Sequence, residues 1–424
     1  MLLARFFQNN DGGVAPFLAL AIIPLMGFTG AAIDYSRASA ARTAMQSALD
    51  ATGLTLSKTA QGQSTAQIQG QAQQVFNALF IRPEVQDVSV TTEFGSPQQG
   101  NFVLKVTGSG SINTLFSKVL GNSQISFSAK SEVLWGIKKL NLAMALDNTG
   151  SMSSNGKMTA LKTAAHNLIN TLKDAEKTPG DIKVSIVPFA VDVNAGTGNV
   201  DASWIDWTDW DAANGNCSKS SYHSKSSCNN NGGIWTPKNH NVWNGCVNDR
   251  DQNNDVLNTP TGSGASTKYR AHQASNCPAS MIALSSTWAD MHSKIDEMTP
   301  AGNTNVTIGL QMAWQTLSNN APFSAPAPAT DLDKVIILLT DGENTQNRWT
   351  SSTSSIDTRT QKACDNAKAA NVRIYAVRVI NGDAELLKNC ATNPNMYYDV
   401  DSASELNGVF SSIAQNLANL RIAK

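Results

Sequence analysis

The first hydrophobic feature of the chain is an uncharged run from residue 14 to residue 33, VAPFLALAIIPLMGFTGAAI. A helix of about 20 apolar residues is long enough to cross a hydrocarbon core of roughly 30 Å. Arg5 precedes the run, and Asp34 and Arg37 follow it. We therefore expect an uncleaved N-terminal membrane anchor, with a signal peptide cleaved near the small residues 38–40 as the alternative.

The region after the apolar run predicts a helical stalk and a small α+β module. Residues 35–80 are rich in Ala, Gln and Ser, and their apolar positions recur at a loose helical spacing that fits one long helix or two. Pro83 ends this region. Three alternating segments then predict strands, at 88–92, 102–107 and 125–133. With a short helix predicted over 112–120, the stalk and module occupy residues 35–135.

From residue 140 the pattern changes to apolar strands separated by helices. The predicted strands cover 142–146, 182–189, 335–339, 372–379 and 396–400. The predicted helices cover 157–172, 358–370, 384–390 and 403–420. Continuous apolar strands alternating with helices indicate a mainly parallel sheet with helices on both faces. The predicted fold class of this part is therefore α/β, a doubly wound, Rossmann-like sheet.

One stretch, from about residue 195 to 280, interrupts this alternation and is dominated by Asn, Ser, Gly and Asp. So long a segment without repeating structure is expected to be an insertion that is functional or held by disulfides. Five tryptophans lie in it: Trp204, Trp207, Trp210, Trp235 and Trp243. Two interpretations stay open, a small core built around disulfides and an aromatic recognition surface for a glycan or a protein.

Length and charge narrow the classes of function. A chain of 424 residues is too long for one compact core and predicts two or three domains. Its 32 basic and 33 acidic residues nearly balance, and charged residues make up only 15% of the chain. Nucleic-acid binding through a basic surface is therefore excluded. The oligomeric state is unknown from the sequence.

The cysteines are confined to the second half of the chain, at Cys217, Cys228, Cys246, Cys277, Cys364 and Cys390. An even number without zinc-site spacing favours disulfides in an oxidising compartment. Cys364 and Cys390 could form a cross-link within the C-terminal domain, whereas the other four permit three pairings. An oxidising compartment also fits a C-terminal bulk translocated behind the anchor.

Five side chains with oxygen donors are expected at one edge of the predicted sheet: Asp147, Thr149, Ser151, Thr304 and Asp341. Two of them end apolar strands, and Thr304 precedes a segment that is predicted to form an amphipathic helix. In a parallel α/β sheet, ligands bind outside the carboxyl ends of the strands. A set of oxygen donors without sulfur or nitrogen suits a hard divalent cation, Mg²⁺ first, with Mn²⁺ or Ca²⁺ possible. Taken singly, these residues are ordinary turn and N-cap residues.

The segments DNTGSM, GNTN and LLTDGEN resemble, in order and spacing, the metal-ion-dependent adhesion site (MIDAS) of von Willebrand factor A (vWA) domains. The family's Asp-x-Ser-x-Ser motif corresponds to residues 147–151, with Thr149 in place of the first serine. The family's threonine motif matches at Thr304, and its second aspartate matches at Asp341. The resemblance implies a vWA domain over residues 138–424, interrupted by the insertion, with these five residues as metal ligands.

The N-terminal residues 9–52 resemble the start of Tad/Flp pilus-assembly proteins of the TadE and TadG type. In these proteins a pilin-like hydrophobic helix anchors a periplasmic domain, and TadG-like members carry a vWA domain behind it. Residues 1–34 would then be a cytoplasmic N-terminus and a transmembrane anchor. The pilin-like members have a glutamate shortly after their processing glycine, but VAPF follows Gly13 here, so we expect the anchor to remain intact.

Together these resemblances imply a non-enzymatic pilus-assembly or adhesion protein, single-pass in the bacterial inner membrane, with its C-terminal bulk periplasmic or extracellular. Its metal would accept an acidic side chain from a protein partner, either a pilus component or a surface ligand. One alternative is a vWA scaffold with a structural metal, in which the Trp/Cys-rich insertion performs recognition. The other alternative is a metal-dependent hydrolase or phosphatase with Asp147 as nucleophile. In this chain, however, Thr149 replaces the acid/base aspartate that phosphatases with such a nucleophile carry.

Overall fold

The computed structural model describes residues 14–57, 59–60, 63–98, 101–136, 139–176, 178–262, 264–326 and 332–420. The chain divides into two compact units, which meet in the sequence at residues 137 and 138 and are described separately. Arg5 and Gly13, on which the predicted orientation and processing of the anchor depend, lie outside the described residues.

The first unit begins with α1 (Val14–Ser57), a single helix of 44 residues that is long and apolar enough to cross a membrane. Its large apolar side chains are exposed from Phe17 to Ile33, whereas Ala38 and Met45 on the later turns are buried. The later part of the helix therefore packs in the α+β module, whereas the earlier part presents an apolar surface. A second helix, α2 (Thr65–Leu79), follows, so residues 35–80 form two helices.

Three antiparallel strands complete the first unit: β1 (Val85–Gln98), β2 (Asn101–Asn113) and β3 (Gln124–Gly136). Their inner face packs on α1 and α2 around Leu49, Phe76 and Leu104. The helix predicted over 112–120 is wrong. Strand β2 continues to Asn113 because Ile112 still pairs with both neighbouring strands, and only a short 3₁₀ helix, Ser117–Leu120, follows.

The second unit alternates strands and helices. Its strands are β4 (Lys139–Asp147), β5 (Ile182–Phe189), β6 (Val193–Asn194), β7 (Ile205–Asp206), β8 (Gly215–Cys217), β9 (Trp235–Pro237), β10 (Cys246–Asn248), β11 (Tyr269–Ala271), β12 (Ile282–Ser285), β13 (Leu332–Thr340), β14 (Arg373–Val379) and β15 (Tyr397–Val400). Its α-helices are α3 (Lys157–Ala175), α4 (Thr208–Ala213), α5 (Lys225–Asn230), α6 (Trp288–Glu297), α7 (Val306–Thr316), α8 (Thr353–Ala369), α9 (Ala384–Cys390) and α10 (Leu406–Leu420).

Among the described residues, ten strands form one sheet in the order β15-β14-β13-β4-β5-β6-β10-β11-β7, with β12 paired to β5. Strands β15, β14, β13, β4 and β5 are parallel neighbours. Alternate residues of β4 face opposite cores, Ala143 towards α7 and α8 and Leu142 towards α3 and α10. The predicted doubly wound α/β fold is confirmed, because helices cover both faces of a mainly parallel sheet.

The stretch predicted as an insertion continues the sheet. Strands β6, β10, β11 and β7 extend it beyond β5, so this stretch is part of the sheet layer. Three disulfides are present: Cys217–Cys228, Cys246–Cys277 and Cys364–Cys390, with Cα–Cα distances of 5.6, 5.8 and 5.0 Å. Of the three pairings open to the first four cysteines, the structure therefore shows the one that joins neighbours in sequence.

The tryptophans of this stretch mostly serve as core residues. Trp204, Trp210 and Trp243 are at most 9% exposed and belong to the same apolar cluster as α7 and β4. Trp207 is partly buried and stacks on the His240 ring with centroids 3.8 Å apart. These three tryptophans are thus core residues, but they belong to the main apolar core of the unit and not to a separate small core built around the disulfides.

Helix α7 is buried on every side, so the prediction of an amphipathic helix after Thr304 is wrong. The sequence stretch around β11 covers the face that would otherwise meet solvent. The Tyr269 hydroxyl donates to Gln311 Oε1 at 2.7 Å, and Gln311 Nε2 donates to the Leu257 carbonyl at 2.9 Å. The buried side-chain amide of Gln311 is thus satisfied by this cover.

Candidate functional site

The candidate site lies at the carboxyl edge of the parallel strands. Asp147 is the last residue of β4, and Thr149 is the N-cap of a 3₁₀ helix, Gly150–Ser153, that follows it. Asp341 comes directly after β13, the neighbour of β4 in the sheet. Parallel pairing of β4 and β13 therefore brings Asp147, at the end of one strand, and Asp341, directly after the other, to the same edge of the sheet.

The Asp147 carboxylate is completely buried and held by two hydrogen bonds. The Thr149 amide donates to Oδ1 at 2.8 Å, and the Thr340 hydroxyl donates to Oδ2 at 2.6 Å. Burial and the nearby charge of Asp341 raise the pKa of Asp147 to about 6, although these hydrogen bonds act in the opposite direction. The site thus holds two carboxylates close enough to repel each other.

A chain of hydroxyls connects the two aspartates. Ser151 Oγ donates to Asp341 Oδ1 at 2.5 Å, and Thr149 Oγ1 lies 2.9 Å from Ser151 Oγ. Because Ser151 has one hydroxyl proton and gives it to the carboxylate, Thr149 must be the donor in the second bond. The remaining lone pairs of both oxygens are available to a cation. Ser151 is also exposed, so a solute can reach this side of the site.

Thr304 is brought to the site by a turn and by the loop that follows Asp341. Gly302 has a φ of +83°, which favours glycine, and its carbonyl accepts from the Gly150 amide at 3.0 Å. The Thr304 amide donates to Thr345 Oγ1 at 2.8 Å, and the Thr345 amide donates to the Thr304 carbonyl at 2.9 Å. These bonds fix the backbone of the threonine beside the 3₁₀ helix.

Gly342 leaves an open space between two of these hydroxyls. A Cβ built on Gly342 would lie 3.4 Å from Ser151 Oγ and 3.5 Å from Thr304 Oγ1. All five residues that the sequence predicted therefore converge: Asp147, Thr149, Ser151, Thr304 and Asp341. The missing side chain at position 342 keeps the space between their oxygens free.

Lys157 is a site residue that the sequence reasoning missed. Its side chain is 2% exposed, and its ammonium donates to Asp341 Oδ2 at 2.6 Å and lies 3.5 Å from the Ser151 carbonyl. It stands in the first turn of α3, four residues before the buried Leu161 and seven before the buried Ala164. A lysine on the apolar stripe of a helix was the signal that could have identified it, because a buried cation needs a partner.

Asp249 is a second residue that the sequence reasoning missed. Its two carboxylate oxygens accept from Asn305 Nδ2 at 3.1 and 2.9 Å, and Oδ2 also accepts from the Arg348 amide at 3.2 Å. Burial raises its pKa to about 7. Asn305 follows Thr304, and Arg348 lies on the loop after Asp341. Asp249 therefore joins the disulfide-rich stretch to both loops of the site.

The residues present fit a hard divalent cation. Two buried carboxylates face one buried ammonium, so an ionised site has an excess of negative charge. The other donors are hydroxyls, which is why no group of three or more His, Cys, Asp and Glu with metal geometry occurs in the described part of the chain. Hydroxyl and carboxylate oxygens around an open space are the donors that Mg²⁺ and Mn²⁺ prefer. Bound there, the ion would supply an electrophile for an outside oxygen ligand.

Two family models match the chain. The von Willebrand factor type A domain matches residues 254–412, which include Thr304 and Asp341. The putative Flp pilus-assembly TadE/G-like family matches residues 12–55. This range contains all of α1 except its last two residues. No curated relative matches the chain.

Several solved structures are similar at low sequence identity. The pilus adhesin SpaC from Lactobacillus rhamnosus GG is 14% identical, with 80% of this chain and 35% of that chain covered and a TM-score of 0.37. The vWF domain of the type V pili tip protein Mfa5 from Porphyromonas gingivalis is 13% identical, with coverages of 68% and 97% and a TM-score of 0.40. Proximal thread matrix protein 1 from the mussel byssus, with a zinc-occupied MIDAS motif, is 13% identical, with coverages of 67% and 49% and a TM-score of 0.36.

The chain spans about a third of SpaC and about half of the mussel protein. The two family matches lie on different units of the structure, one on the N-terminal helix and the other on the α/β unit. The chain therefore contains a TadE/G-like pilus-assembly segment at its N-terminal end and a von Willebrand factor type A domain in its C-terminal region.

Proposed function

We propose that the chain is a membrane-anchored pilus-assembly or adhesion protein whose vWA domain, taken as residues 138–424, binds a protein partner through a divalent cation. The proposed ligands are Asp147, Thr149, Ser151, Thr304 and Asp341. The observation that carries this proposal is the convergence of two buried carboxylates and three hydroxyls at the space beside Gly342. Mg²⁺ is the proposed ion, and Mn²⁺ or Ca²⁺ would fit the same oxygen donors.

The donor set also defines the chemistry of the partner. Three of the five proposed ligands are neutral hydroxyls, so the chain neutralises a divalent ion only partly. Asp341 already shares its charge with the Lys157 ammonium 2.6 Å away. A carboxylate from outside would supply the missing negative charge, and exposed Ser151 marks the open side. The proposed partner is therefore a pilus component or surface protein that presents an acidic side chain.

The proposed location is the bacterial inner membrane, crossed once by residues 14–33, with the bulk of the chain periplasmic or extracellular. The exposed apolar part of α1 supports the anchor. The three disulfides support an oxidising compartment for the second unit, since such bonds are rare in reducing cytosol. The two matched families are described as a von Willebrand factor type A domain and as a pilus-assembly family, and Thr149 stands where a phosphatase would need an acid/base aspartate. We therefore propose a binding role.

Recognition through tryptophans of the disulfide-rich stretch has less support. Trp204, Trp210 and Trp243 are buried in the core and cannot contact a partner without unfolding. The metal site, in contrast, is open at Ser151. The structure of this stretch thus supports a role in holding the site loops, through Asp249, more than a separate recognition surface.

The proposal is tested in the bacterium that encodes the chain, by replacing single site hydroxyls. Thr304→Ala and Ser151→Ala should abolish pilus assembly or adhesion at normal protein level, since each removes one proposed ligand. Ser153→Ala is the matched control, because Ser153 is exposed and its hydroxyl donates to the Gly150 carbonyl at 2.7 Å, away from the carboxylates. Normal assembly and adhesion in both site variants would refute the proposed role of the metal site.

A further inference from the structure

The first unit exposes a short apolar loop at residues 115–119. Leu115 is 55% exposed, Phe116 is 49% exposed and Val119 is 84% exposed. Three large apolar side chains on five consecutive residues form a contiguous apolar tip, and Lys118 between them is exposed as well. Single exposed apolar residues are ordinary, but such a cluster usually marks a surface that contacts something apolar.

This loop is fixed to helix α1 by Asp34. The carboxylate is fully buried and accepts three backbone N–H bonds, from Leu115 at 2.8 Å, Phe116 at 2.9 Å and Ser117 at 2.8 Å. Asp34 is the first charged residue after the apolar run. The loop is therefore attached to the helix at the point where the predicted membrane span ends.

Phe116 reaches further along the helix, into the apolar run itself. A Cβ at Gly30 would come within 2.7 Å of Phe116 Cγ, so the phenylalanine packs where the helix has no side chain. Gly30 is three residues before Ile33, or about 5 Å along the helix axis. With residues 14–33 as the membrane span, Phe116 consequently lies at the edge of the hydrocarbon core.

The helix around this level is exposed and apolar. Phe28 is 76% exposed, Ile33 is 43% exposed and Tyr35 is 71% exposed. A tyrosine just beyond an apolar span is typical of the membrane–water interface. The apolar surface of the loop is thus continuous with that of the helix, and Lys118 adds the positive charge that lipid phosphates attract.

We propose that the 115–119 loop inserts into the headgroup region of the bilayer that α1 crosses, so that the first unit is held against the membrane at a second point. This inference rests on the proposed membrane anchoring of residues 14–33. Leu115, Phe116 and Val119 enter the interface, and Lys118 contacts lipid phosphate. Asp34 acts as the positioning residue, because its three hydrogen bonds keep the loop at the level of the span.

The test uses the full chain in liposomes with one environment-sensitive fluorophore attached to Val119→Cys. All six native cysteines form disulfides, so the label reacts only with the introduced thiol. Glu93→Cys is the control for a distant surface. Glu93 is exposed and pairs with Lys105 of β2. Lys105 lies eight residues, or about 26 Å along the strand, from Asn113, the last residue of β2. Ile23→Cys, within the predicted span, reports whether the helix itself is inserted.

Quenching by phosphatidylcholine spin-labelled near the headgroup should be at least about threefold stronger at position 119 than at position 93. Position 23 should be quenched by lipids labelled deep in the acyl chain. If position 23 is quenched but position 119 behaves like position 93, the loop proposal is wrong and the anchor stands. A label at 119 that is shielded from iodide in water yet not quenched by lipid would mean that a protein covers the loop, which also overturns the proposal. Lack of quenching at position 23 overturns both the anchor and the loop.

Discussion

The ammonium of Lys157 lies 2.6 Å from Asp341 Oδ2, with both side chains at most 2% exposed. The two residues are 184 positions apart in the sequence, and they meet because β4, which precedes the helix of Lys157, pairs with β13, which precedes Asp341. The site therefore contains one positive charge of its own in the place where we propose a divalent cation. A buried ion pair of this kind is costly to break from one side, because the remaining charge has no water around it.

Replacing Lys157 with methionine should make the second unit depend on metal for its stability. In EDTA, Lys157→Met leaves Asp147 and Asp341 without a counter-charge and should lower the free energy of unfolding by about 3 kcal/mol. Saturating Mg²⁺ should recover part of this loss, since the ion replaces the missing positive charge. Urea unfolding with and without Mg²⁺ measures both effects. Lys162→Met, on the same helix and outside the site, should show neither. An equal loss with and without Mg²⁺ would count against a cation beside Asp341.

Metal affinity should fall in acid because Asp147 must lose its proton to bind a cation. Burial and the charge of Asp341 raise the pKa of Asp147 to about 6. The unfolded-state pKa of an aspartate is about 3.9, so the metal-free folded state holds the proton more tightly. Its stability should therefore decrease as the pH rises from about 4 through about 6, while Mn²⁺ affinity increases up to about pH 6 and then levels. Calorimetric titrations at pH 5, 6 and 7.5 test this, and the same affinity at all three would contradict it.

Gly342→Ala should separate metal binding from folding. The added methyl group would lie 3.4 Å from Ser151 Oγ and 3.5 Å from Thr304 Oγ1, distances of ordinary contact in the metal-free protein. Stability in EDTA should thus stay within about 0.5 kcal/mol of wild type. Mn²⁺ affinity should fall at least about tenfold, because the methyl group occupies the space between two ligands. Unchanged affinity would show that the cation, if bound, lies elsewhere.

Asp249 should affect the metal site without being a ligand. Asp249→Ala leaves Asn305 Nδ2 and the Arg348 amide without their acceptor, at a cost of about 1–3 kcal/mol each. Because Asn305 follows Thr304, we expect Mn²⁺ affinity to fall several-fold as the threonine loses its fixed position. Asp251→Ala is the control, since Asp251 accepts from the Arg348 side chain and not from Asn305. Calorimetry on both variants would contradict this role if their affinities were equal.

The sequence predicts the parallel sheet well because its strands are continuous apolar runs. The strand at 182–189 and the helix at 384–390 have the predicted bounds. The oxygen donors could also be grouped, since the carboxyl ends of parallel strands share one edge. The segments DNTGSM, GNTN and LLTDGEN resemble the MIDAS of vWA domains in their order and spacing, and this resemblance also indicates the site.

What the sequence could not show depends on contacts between distant residues. Helix α7 has polar residues such as Gln311, and only the cover formed around Tyr269 shows that this face is buried. The pairing of Lys157 with Asp341 and that of Asp249 with Asn305 likewise require the tertiary structure. Short strands such as β6 and β10 have two or three residues each, too few for a periodic pattern.

The measurement that tests the central claim most directly is calorimetric titration of Mg²⁺ and Mn²⁺ into the full chain in detergent at pH 7.5. Wild type and Ser153→Ala should each bind one divalent cation per chain. Asp147→Asn and Thr304→Ala should lose that binding, because each removes a proposed ligand while the Asn variant keeps the size of the side chain. Binding that is absent in wild type, or that persists unchanged in both site variants, would contradict a cation held by Asp147, Thr149, Ser151, Thr304 and Asp341.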